Sequence, residues 1–211
     1  MQSNLSDVEQ RVKRYWYTDG IGELIGGGMF ILLGVYFALQ EFLGQNSLVG
    51  GILQVSLILV MIGGMWISRK LVTTLKTRLT YPRTGYVEYH VDERNLKSRR
   101  IWVFLLAFTI SALTMIFVRL FQSFDSIVAV TGVAVGVILV ILRAKISGLT
   151  RFYALGVISI LLGLALSVSR LPNGYSLGLF YGLMGVSFML AGGLTLRHYL
   201  QQNPLPVEEM K

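Results

Sequence analysis

The apolar residues of this chain come in uninterrupted runs, and run length constrains the fold more than anything else here. Six windows, Leu24–Phe42, Leu48–Ser68, Ile101–Phe121, Ile127–Leu142, Phe152–Ser169 and Tyr175–Leu196, approach or reach the length needed to cross hydrocarbon as a helix, which is roughly 17–25 residues. Runs of that length do not suit the strands or short helices of a water-soluble core. Composition agrees: the 211 residues are 54% hydrophobic and 14% charged, against about 25% charged in an ordinary soluble domain. The expectation is an all-α integral membrane protein of six transmembrane helices arranged as three hairpins.

Charge placement orients such a chain. With both termini inside, 17 of the 19 Lys and Arg residues fall on inner segments, and Arg119 and Arg170 alone lie outside. That bias is the one that retains basic loops in the cytoplasm. The opening residues lack the apolar core of a cleaved signal peptide, so the first span is expected to persist. The resulting layout is a cytoplasmic N-terminal segment 1–23, a first hairpin 24–68, a cytoplasmic amphipathic and basic loop 69–100, a second hairpin 101–142, an inner loop 143–151, a third hairpin 152–196 and a cytoplasmic tail 197–211. The implied location is the cell inner membrane, multi-pass. The charge of +8 is explained by topology, and no nucleic acid partner is expected.

Glycine spacing suggests how the helices pack. Gly27 and Gly34 recur seven residues apart, as do Gly156 and Gly163, and Gly178, Gly185 and Gly192; Gly182 adds a four-residue step. A stripe without side chains lets helices approach closely where lipid supplies no hydrophobic drive. These glycines are expected to pack helices within the chain or to face a second copy in a homo-oligomer, and a bulky residue at Gly182 or Gly185 should disrupt association. A shift of 129 residues aligns positions 27–71 with 156–200 at ten identities. This raises a parallel hairpin repeat.

Polar residues inside the windows are few, and no ionisable group lies well inside them, which weakens coupled ion transport without addressing an apolar solute. At the inner edge, Asp19 and Glu23 are four apart, so a helix starting this early puts them on one face. Two readings stand: a helix cap with salt bridges to the basic inner loops, or a cation or substrate site. The absence of cysteine and the isolation of His90 and His198 leave no metal motif, and no cofactor or catalytic set is expected.

The inner loop carries the remaining candidates. Leu71, Val72, Leu75 and Leu79 share a face, suggesting an extension of the second span along the headgroups. In "YPRTG", Pro82 disfavours helix at Tyr81 and Gly85 suits a left-handed turn, so a β-hairpin or turn with a strand through Tyr86–Val91 is expected. Ligand or partner contacts are expected from Asp19, Glu23, Arg78, Tyr81, Arg83, Tyr86, Arg99 and Arg100. The partners in view are a bilayer with an anionic inner leaflet and a membrane or cytoplasmic protein.

The segments "DGIGE" and "YPRTGYV" resemble those of a set of small bacterial multi-pass membrane proteins with Asp-Gly-x-x-Glu and Tyr-Pro-Arg-x-Gly-Tyr-Val motifs. The resemblance implies a similar span layout and no activity. The leading functional expectation is a non-catalytic scaffold, sensor or accessory subunit presenting the basic loop. A transporter or channel for a small, weakly polar solute and a membrane-embedded enzyme are the alternatives.

Overall fold

A computed structural model describes residues 18–44, 48–84, 126–146 and 150–204. They form six α-helices: α1 (Ile21–Leu43), α2 (Leu48–Leu75), α3 (Tyr81–Thr84), α4 (Ser126–Ile146), α5 (Arg151–Ser167) and α6 (Asn173–Gln202), with a π-helical turn at Lys76–Thr80 between α2 and α3. The all-helical expectation holds.

Among the described residues the six-span count is not met. By length and composition, α1 with 23 residues and α6 with 30 are long and apolar enough to cross a membrane, whereas Ile127–Leu142 and Arg151–Ser167 are shorter apolar helices. The 17 residues of α5 rise about 25 Å, short of a hydrocarbon core of about 30 Å. The expected span 101–121 lies outside the described residues.

No strand occurs among the described residues, and the β-hairpin expectation is corrected at "YPRT". Tyr81 has φ −63° and ψ −38°, right-handed helical values, and its N–H donates to the Lys76 carbonyl five residues back. A proline ring in a regular helix meets the carbonyl four residues earlier and leaves it without a donor. The wider π-turn immediately before Pro82 changes that register, so the helix continues through the proline. The strand expected over 86–91 lies outside the described residues. At the loop's amphipathic start, α2 runs unbroken past Ser68 to Leu75 as 28 residues, about 42 Å.

Packing joins the hairpins more than it closes them. The closest helix pairs are α1 with α6 and α4 with α5, while α1 with α2 and α5 with α6 touch less. Glycine explains the preference. A Cβ placed on Gly27 would stand 2.6 Å from the Gly185 carbonyl oxygen, one on Gly34 2.7 Å from that of Gly178, and one on Gly192 2.7 Å from that of Gly20. These antiparallel helices meet backbone to backbone at every second turn. On the other pair, Cβ atoms on Gly132 and Gly163 would each approach the other's Cα to 2.7 and 2.8 Å, and Gly136 lies against the Gly156 carbonyl. Gly27 and Gly34 of the first seam are the positions that the 129-residue shift maps onto Gly156 and Gly163 of the second. Gly182 differs from its neighbours: its Cα lies under Gly34, yet a Cβ of its own would meet open space.

The side chains that fill the interior are aromatic or large. Val128, Leu139, Phe152, Leu155, Phe180, Met184 and Phe188 form the core where α4, α5 and α6 meet. Phe30 stacks on Phe188 at 5.3 Å and Phe37 on Tyr181 at 5.4 Å, closing the α1–α6 seam on one side. At the end of the bundle away from residue 20, Tyr36 Oη donates to the Leu53 carbonyl at 2.6 Å and the Gly174 N–H donates to Glu41 Oε2 at 3.2 Å.

Candidate functional site

The polar residues of the described chain converge at the other end, where α1 begins and α6 finishes. Gly20, with φ +73°, turns the chain into α1. Its left-handed backbone suits glycine, and Gly192 crowds the space where a side chain would stand. That turn buries Asp19 and aims it back at the bundle.

Asp19 is then saturated. Its Oδ1 accepts the Ile21 N–H at 3.2 Å. Its Oδ2 receives the Lys76 ammonium at 2.9 Å and the Thr80 hydroxyl at 3.3 Å. Both charged side chains are almost entirely enclosed, at 4% and 1% exposure for Lys76 and Asp19. The π-turn has a direct part in this arrangement, since Lys76 and Thr80 are its first and last residues and its two buried ones.

One turn further along α1, Glu23 makes the second pair. Its Oε1 lies 2.7 Å from Arg151 Nη2, and Arg151 Nη1 donates to Thr195 Oγ1 at 3.1 Å. Oε2 of Glu23 has no hydrogen bond among the described residues. The Arg151 guanidinium also sits 5.6 Å from the Phe152 ring centroid. Asp19 and Glu23 thus tie α1 to the end of α2 and to the start of α5, and Arg151 ties α5 to α6. Burying such charges costs several kcal/mol each, recovered only with good partners, and removing one partner from a buried pair costs about 3–5 kcal/mol. The cluster is a four-helix clasp with its formal charges balanced. Among the described residues no group of three or more His, Asp or Glu side chains could hold a metal ion.

Arg83 extends the polar end. Its Nη1 donates to the Asn203 carbonyl at 2.7 Å and the Leu200 carbonyl at 3.3 Å, satisfying the last turn of α6, where carbonyls lack helical partners. Beside it lies an open groove of about 400 Å³ lined by Arg83, Gly193, Leu196, Arg197, Leu200 and Gln201.

Of the contacts expected from sequence, Asp19 and Glu23 lie four residues apart in the clasp, Arg83 sits on α6, Tyr81 is half-buried beside it, and Arg78 is exposed on the π-turn. Tyr86, Arg99 and Arg100 lie outside the described residues. Four residues of the clasp went unnamed as contacts: Lys76, Thr80, Arg151 and Thr195. The four-residue spacing of Lys76 and Thr80 is readable, but their inward direction follows from the π-turn, which shifts the helical face.

Compared with protein-family models, curated proteins and solved structures, the chain matches none.

Proposed function

We propose that the chain is a multi-pass protein of the inner membrane, both termini cytoplasmic, acting as a non-catalytic scaffold or accessory subunit whose basic inner end meets anionic lipid and a partner protein. One observation carries this reading: beyond its apolar core, the bundle encloses polar groups and shows large apolar side chains on its outside. Glycines, serines and ion pairs are inside, with Ser159 and Ser176 fully enclosed, while Leu32, Phe42, Ile52, Leu59, Leu161, Leu190 and Leu194 are exposed. Exposed apolar surface on this scale is what a soluble monomer avoids. Hydrocarbon outside and small-residue seams inside fit a bilayer.

Two further features support the orientation. Trp66 is exposed on α2 with the Lys70 ammonium 5.5 Å from its ring centroid, a pairing suited to headgroup depth. The carboxylates that a catalytic reading would use are both engaged with cations, Asp19 with the buried Lys76 and Glu23 with the half-buried Arg151. A scaffold makes use of such a clasp because it holds four helix ends in register beneath whatever the inner surface binds.

The natural lack of cysteine makes the test direct. Single cysteines at Ser169 and Gln202 should react with an impermeant thiol reagent from opposite sides, Ser169→Cys in intact cells and Gln202→Cys after permeabilisation alone. The protein should stay in the pellet after alkaline carbonate extraction and, purified in mild detergent, retain a stoichiometric partner. Release into the carbonate supernatant, or the reverse labelling pattern, would overturn the membrane reading; a lone protein with an intact cellular role would overturn the scaffold reading.

A further inference from the structure

We infer that the groove between α3 and the last turns of α6 binds the phosphate of an anionic phospholipid headgroup. The inference rests on the membrane reading above and names the ligand class for its inner end.

Three properties of the groove converge. The first is fixed positive charge. Arg83 is held in place through Nη1 by two α6 carbonyls, so its guanidinium is oriented before any ligand arrives. Its Nε and Nη2 make no hydrogen bond among the described residues. Arg197 lies across the groove on α6, exposed, and among the described residues it has no ion pair and no Asp or Glu lines the space. Two arginines from different elements and the amide of Gln201 line the groove, and the planar guanidinium is the group best suited to phosphate oxygens.

The second property is room created by a missing side chain. A Cβ on Gly193 would meet Leu24 Cδ1 alone, at 4.0 Å. Unlike Gly185 and Gly192, this glycine is not occupied by a neighbouring backbone. Its gap forms part of a space of about 400 Å³, within the usual range of small-ligand sites, about 300–1,000 Å³.

The third is continuity with hydrocarbon. Leu179, Leu183, Val186 and Leu190 are exposed on α6 at steps of three and four, and the same steps continue to Gly193, Arg197 and Leu200. Residues so spaced share one helix face. A headgroup in the groove therefore has its acyl chains directed along an apolar stripe of the same helix. A soluble phosphate compound would use the arginines and leave this stripe without a role.

The experiment measures lipid retention by native mass spectrometry of the whole protein, delipidated in detergent and then offered phosphatidylglycerol, phosphatidylcholine or inorganic phosphate. The expected result is one phosphatidylglycerol retained per chain, with phosphatidylcholine at least about tenfold weaker, the ratio that 1.4 kcal/mol gives. Arg197→Gln should weaken phosphatidylglycerol retention about tenfold. Gly193→Leu should abolish it by filling the groove while leaving the melting temperature near wild type. Arg197 is on the surface, so its variant tests the site even if Gly193→Leu misfolds. Equal retention of the two lipids, wild-type retention by Arg197→Gln, or inorganic phosphate competing on equal terms would each overturn the assignment. Failure of the membrane reading would appear separately, as carbonate-extractable protein.

Discussion

Gly185 and Gly182 sit one turn apart on α6, and alanine should have opposite effects at the two. At Gly185 the new Cβ would stand 2.6 Å from Ile31 Cγ1, 2.7 Å from the Gly27 carbonyl oxygen and 2.8 Å from the Ile31 nitrogen. Non-bonded atoms settle at about 3.5–4.0 Å, so about 1 Å must be found. Ile31 can rotate its side chain away, but the carbonyl and the nitrogen belong to α1 itself. The helices must separate, and overpacking of this kind costs about 1–3 kcal/mol. Alanine's better helix propensity offsets about 1 kcal/mol of that. At Gly182 the added methyl meets nothing within 4 Å, so the propensity gain of about 1 kcal/mol stands alone. The propensity gain is common to both, so the two variants should differ by the overpacking cost of about 1–3 kcal/mol, roughly 2–12 °C in melting temperature for a chain of this size. Near-UV circular dichroism melts of the two proteins in the same detergent measure the difference. A Gly185→Ala protein melting at or above Gly182→Ala would refute backbone contact as the basis of the α1–α6 seam.

Asp19→Asn should destabilise by about 3–5 kcal/mol because Lys76 is left enclosed without its anion, and adding Lys76→Met should restore most of the loss; a chemical-denaturation double-mutant cycle measures this. Arg83→Ala should leave the melting temperature within a few degrees but speed amide exchange over residues 199–203, since two terminal carbonyls lose their donor and the last turn frays. Tyr36→Phe removes the 2.6 Å bond to the Leu53 carbonyl and should cost about 1 kcal/mol, read as a lower denaturant midpoint with unchanged slope.

Helix class and glycine spacing were legible because both are local: run length reports what solvent a helix tolerates, and a seven-residue interval marks one face whatever lies opposite. Partner choice was not local. Nothing in Gly27 says that Gly185 is its counterpart, and the hairpin layout expected from short loops pointed to neighbours that touch less than α1 and α6 do. Pro82 misled for a definite reason: its usual effect on the preceding residue presumes a regular helix, and the π-turn at Lys76–Thr80 removes that premise. The same turn brings Lys76, which lies off the face shared by Leu71, Val72, Leu75 and Leu79, inward as the buried partner of Asp19. Asp19 and Glu23 were recognisable as a pair on one face; their separate cations, Lys76 and Arg151, come from segments 57 and 128 residues away in the chain, a separation that spacing rules do not reach.

The glycine seam between α1 and α6 also bears on motion. With carbonyls seated against glycines at three successive levels, rotating one helix would drive a flanking side chain, such as Ile31 or Met189, into the other's backbone. Sliding meets the same obstacle until the next glycine comes into line, seven residues or about 10 Å away. The pair should consequently move as one solid strut, and any rearrangement in a working cycle would have to come from the less tightly joined contacts of α2 and α5 against it.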